Sequence, residues 1–111
     1  MNSILNSIKK LIGMDESYHA FDQDLIIHIN SVFYILYQLG IGRDPSVPFS
    51  ITDDADEWTD FVDAGQVDLV KSYVYLKVRL LFDPPQNSSL LQAMKDQIAE
   101  FEWRGVVSTG K

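Results

Sequence analysis

Apolar residues recur along this chain at steps of three and four, the spacing that lines one face of an α-helix. Ile4, Leu5, Ile8, Leu11 and Ile12 fall in this rhythm and Gly13 follows as a stop, which predicts a short first helix. Asp22 is placed to cap a second helix by accepting from amides two or three residues on. Leu25, Ile29, Val32, Leu36 and Leu39 continue that helix to Gly40, and Ile26 and Phe33 widen its apolar stripe. Gly42, Pro45 and Pro48 then remove helix and ladder options, so residues 40–50 read as a long extended loop. Asp54 with Glu57 three later resembles a capping box, opening a short helix through Trp58, Phe61 and Val62 that stops near Gly65.

From Gln66 to Phe82 the pattern doubles. Val67, Val70, Val74, Val78 and Leu81 form one stripe, and Leu69, Tyr73, Leu76 and Leu80 a second, well round the helix from the first. A helix apolar on two faces is either central to its own core or shared with a neighbouring subunit. Asp83, Pro84 and Pro85 end it. Ser89 with Gln92 reads as another capping box, ahead of a last helix with Leu91, Met94, Ile98 and Phe101 as its core stripe. The expected fold is all-α: one small domain over residues 1–104, four to five helices, and the long loop between the second and third. Residues 105–111, with Gly105 and Gly110, are expected to be a flexible tail.

Composition narrows the function. The 111 residues carry 16 acids against 9 bases, a net charge of -7. Residues 1–65 hold 11 acids and 3 bases, whereas residues 66–111 hold 5 and 6, so nearly all the acidity lies in the front half. Such a chain repels a phosphate backbone, which argues against sequence-independent grip on nucleic acid. No apolar run is long enough to span a bilayer, so no membrane role is expected. The first residues lack the apolar run and small-residue cleavage site of a signal peptide, so the chain is expected to act where it is made. Without cysteine there is no disulfide, zinc-thiolate site or cysteine nucleophile.

Catalytic chemistry is poorly represented. His19 and His28 are the only imidazoles, they form no HExxH pair, and no phosphate-binding glycine loop or nucleophile elbow is present. No cofactor and no metal is expected, and an enzyme is the least favoured class. Asp53, Asp54, Asp56, Glu57, Asp60 and Asp63 crowd together as hard-cation ligands would, but Thr59 stands where an EF-hand loop counted from Asp54 needs its turn glycine. A solvated acidic face at a helix start is the simpler account.

The aromatic residues point to contacts. Trp103 lies off the core stripe of the last helix, as a docking anchor would, or else folds down onto the first helix. Phe49, between Pro48 and Ser50, carries the same two readings. Ile27, Tyr34 and Ile35 also lie off the main stripe of the second helix, and surplus apolar faces of this kind suit self-association.

The stretch Tyr75-Leu-Lys-Val-Arg-Leu-Leu-Phe-Asp-Pro-Pro-Gln-Asn-Ser-Ser89, followed by Leu91, Met94, Ile98 and Glu102-Trp103-Arg104, resembles the bacteriophage head-tail connector (adaptor) family of phages and prophages of Gram-positive bacteria. Ile8-Lys-Lys-Leu-Ile-Gly13, Ile27-His-Ile-Asn-Ser-Val-Phe33, Leu39-Gly40 and the acidic segment around Trp58 to Phe61 follow in the family's order. After Arg104 the sequence departs from it with Gly105-Val-Val-Ser-Thr-Gly110. The resemblance implies a non-enzymatic virion protein of the neck, assembled in the host cytoplasm. It implies a ring, typically dodecameric, between the portal protein and the stopper or tail-completion protein, through which DNA passes without sequence-specific binding. A C-terminal segment reaching the portal is implied as well.

The physical reading agrees in outline, since surplus apolar faces suit a head-to-tail contact and an acidic wall would not hold DNA. Candidate interface residues are Phe49, Asp56, Glu57, Trp58, Asp60, Lys71, Lys77, Arg79, Trp103 and Arg104, with segment 53–63 of one subunit near the more basic 66–82 of the next. The alternative is a small acidic helical adaptor or inhibitor of a basic protein, against which stands the net charge of +1 on residues 66–111.

Overall fold

In the computed structural model, residues 3–42 and 46–109 are described, with side chains as far as residue 104. They form helices α1 (Ile4–Ile12), α2 (Asp22–Gln38), α3 (Trp58–Phe61), α4 (Val67–Phe82) and α5 (Ser88–Thr109), with a 3-10 turn at Ala64–Gln66 ahead of α4. The all-α expectation holds. Among the described residues the only extended pairing is an isolated antiparallel bridge between Ser3 and Glu57. Pro45 and residues 110–111, for which a loop and a tail are expected, lie outside the described residues.

Helix α1 starts where the Ser3 hydroxyl accepts from the Asn6 amide at 3.2 Å, and ends at Gly13, whose φ of 99° suits a residue without a Cβ. Ile4, Leu5 and Ile8 are buried against α2 and α4. Leu25, Ile29, Val32, Phe33 and Leu36 of α2 meet Val70, Val74 and Val78 of α4, and this α2–α4 contact is the heart of the core.

The expected helix starts are corrected in three places. Asp22 is the first residue of α2, not its cap; its carboxylate is bonded to Lys9 and His19 instead. A buried ammonium needs a counter-charge more than a helix start open to water needs a cap. The capping pair of α3 is Glu57 and Asp60, where Asp60 Oδ2 accepts from the Glu57 amide at 3.0 Å. The preceding acids are occupied by a turn of their own, with Asp53 Oδ1 accepting from the Ala55 amide and Asp56 Oδ2 from the Thr52 amide. Before α5 the capping oxygen is Asn87 Oδ1, 3.0 Å from the Leu90 amide, and the Gln92 side chain donates along the helix to Asp96. The backbone of α5 stays helical through Gly105 to Thr109, so a boundary after residue 104 does not coincide with a helix end.

A side chain of α2 pins the end of the long loop. Asn30 donates to the Ile51 carbonyl at 3.0 Å and accepts from the Ile51 amide at 2.7 Å, presenting its amide as a strand would present a peptide group. Ile51 is buried by this pairing.

Candidate interaction surface

The candidate residues divide between interior and surface. Trp58 is wholly buried and offers no surface to a partner. Its ring meets Phe33, which also packs with Phe49 and Phe61 at centroid distances of 5.3 and 4.7 Å. Phe49 is therefore half-buried against the core rather than an exposed anchor. Trp58 Nε1 has no hydrogen-bond partner among the described residues, and the Lys71 ammonium sits 5.9 Å from the ring centroid.

Asp56 and Asp60 are bound to the backbone of their own segment, and the Asp56 carbonyl also accepts from the Ile4 amide at 3.0 Å. The acidic run is thus the means by which the loop is folded and tied to α1. Among the described residues no three carboxylates or imidazoles converge as metal ligands, and no helix is long and apolar enough to cross a membrane.

The cations of α4 also have contacts within the chain. Lys77 Nζ lies 3.6 Å from Glu102 Oε2, and Arg79 Nη1 donates to the Tyr75 hydroxyl at 3.0 Å. Glu102 accepts from the Tyr73 hydroxyl at 2.6 Å while Phe101 stacks on the Tyr73 ring at 4.3 Å, so α5 is held to α4 by a polar and an aromatic contact side by side. Burial first, and then the bond to Glu102 and its negative charge, push the Tyr73 phenol well above its ordinary value.

Two features near neither candidate cluster were not legible in the sequence. Lys9 is fully buried, with Nζ 2.8 Å from Asp22 Oδ1 and 3.0 Å from the Glu16 carbonyl, and His19 Nδ1 lies 2.8 Å from the other Asp22 oxygen. Burial acts to raise the Asp22 carboxyl, but its bonds to Lys9 and His19 outweigh this and hold it below the usual carboxylate value. Lysine in an apolar stripe gives no signal that its head will be enclosed, because the same side chain more often reaches out to water.

The surface also carries exposed apolar residues. Trp103 is 66% exposed on the outer side of α5, which sets aside the reading in which it folds onto α1. Beside it, Arg104 pairs with Glu100 at 2.6 Å. A groove of about 480 Å³ runs between α4, α5 and the start of the long loop, lined by Leu69, Leu76, Tyr73 and Phe101 with Gln97 and Arg104 at its rim. Of the second apolar stripe of α4, Tyr73 is buried, Leu76 and Leu80 are half-buried against the core, and Leu69 stands exposed.

The exposed apolar residues of α2 and of the α4–α5 groove are surfaces of the kind that meet other proteins. The family model described as phage connector protein matches residues 4–111, so the chain belongs to the phage connector family. It is a structural family of phage virions, with a head-tail connector role in general terms. Neither the curated proteins nor the solved structures gave a match.

Proposed function

We propose that this chain is the subunit of a ring at the head-tail junction, seated between the portal and the stopper or tail-completion protein. In this reading twelve copies surround the channel, DNA passes without sequence-specific contact, and the subunits gather in the host cytoplasm before joining the virion neck. The chain works by shape and contact and performs no catalysis. The observation carrying the proposal is the family match across residues 4–111, to which the uncovered apolar faces of α2 and α4 add a physical reason for association.

Negative-stain microscopy of the protein mixed with its portal tests this reading. A ring stacked coaxially on the portal is expected. Free portal beside unassociated subunits, over a range of concentrations, would overturn it.

A further inference from the structure

Two apolar surfaces of this chain lie on different helices. On α2, Ile27 and Tyr34 are 61% and 51% exposed and fall with Ser31 at i, i+4 and i+7, roughly opposite the buried stripe that begins at Leu25. The groove between α4 and α5 presents Leu69, 63% exposed, and the half-buried Leu76 over a floor of stacked Tyr73 and Phe101. The first is the anchor pattern of a helix that lies in a groove, and the second is an open groove.

We propose that the occupant of the α4–α5 groove is the outer face of α2 from a second copy of this chain, with Ile27 and Tyr34 set against Leu69 and Leu76. This rests on the ring reading and names the contact that would build it.

Charge favours the same pairing. The α2 face lies in the half of the chain with net charge -8 and begins at the exposed Asp24, whereas the groove lies in the half with net charge +1, its own Arg104 being neutralised by Glu100. Groove against groove would bring like surfaces together and leave both α2 faces in water. Since the complementary surfaces are different patches, each copy retains a free groove and a free α2 face after pairing with one neighbour. Such a heterologous contact adds copies until rotation closes it.

The absence of cysteine makes the test direct. Tyr34→Cys and Leu69→Cys proteins, each substituted at an exposed position, are mixed under oxidising conditions and compared with each protein alone. Disulfide dimers are expected to form at least tenfold faster in the mixture. A mixture no faster than the single proteins overturns the contact, and faster self-linking of Tyr34→Cys points instead to a two-fold pairing of α2. Leu69→Glu, checked for unchanged helix content by circular dichroism, separates the two levels of the proposal. Wild-type rings on the portal with Leu69→Glu rings equally abundant would overturn this contact and leave the ring standing. No ring and no cross-link in any sample would bring down both.

Discussion

The Tyr73 hydroxyl donates to Glu102 Oε2 at 2.6 Å, joining the middle of α4 to the far part of α5. An ionised phenol here would face a carboxylate inside a half-buried contact, so the folded protein keeps this proton beyond the ordinary tyrosine range. In an ultraviolet titration Tyr73 should fail to ionise until the protein unfolds in alkali. That late component should vanish in Tyr73→Phe. Because the folded value is raised, stability from this proton is complete below the unfolded value and is lost as the pH climbs above about 10.

Lys9 and Asp22 call for a different comparison. Lys9→Ala removes the only positive group enclosed with the Asp22 carboxylate and leaves a void at a fully buried position. We expect a loss of about 3 kcal/mol, read from the urea midpoint. Lys9→Met refills the space without the charge and should lose less if the void matters most. Equal losses from both would assign the cost to the Asp22 carboxylate left with His19 alone.

Acid stability should follow the same carboxylate. The folded value of Asp22 is lowered, so on acidification the unfolded chain takes up the proton first and gains on the native state. The Asp22 contribution is present above its ordinary value of 3.8 and is lost as the pH falls through the lower folded value. Asp15, lowered chiefly by its bond to the Ser17 amide, acts in the same direction. Asp22→Asn should therefore show a shallower fall in stability than the wild type between about pH 5 and pH 3. An unchanged slope would show that the pair with Lys9 contributes nothing to folding.

The two tryptophans occupy opposite environments, Trp58 enclosed and Trp103 mostly in water. In Trp103→Phe the remaining fluorescence should be blue-shifted and insensitive to iodide. In Trp58→Phe it should be red-shifted and readily quenched. Trp103→Ala should leave helix content intact and change stability by no more than about 0.5 kcal/mol, as expected for an exposed site. If α5 meets the portal through this side, the same variant should weaken portal binding in a pull-down.

Local chemistry made much of the fold legible. The spacing from Ile4 to Ile12 and from Leu25 to Leu36 locates α1 and α2, and Gly13 and the Pro84-Pro85 pair locate two of the ends, because period and backbone restriction are properties of neighbouring residues. Capping was read less well. Asp22, Asp54 and Ser89 are all plausible caps by residue type, but whether an oxygen turns to an amide or to a lysine depends on what else is nearby.

An all-helical acidic chain, a second apolar stripe on α4 and the features that resemble the connector family are all written in the order of residues. Packing between distant segments puts Trp58 inside and Trp103 outside, sets Lys9 against Asp22 and the Glu16 carbonyl, and lets the acids around Asp56 fold their own loop. The same packing sorts the residues of α4: Val70, Val74 and Val78 meet α2 and Tyr73 is buried, while Leu69 stands exposed at a groove that Leu76 also lines. The reason is that helical periodicity fixes which residues share a face, whereas the partner of that face is set by contacts between segments far apart in the chain.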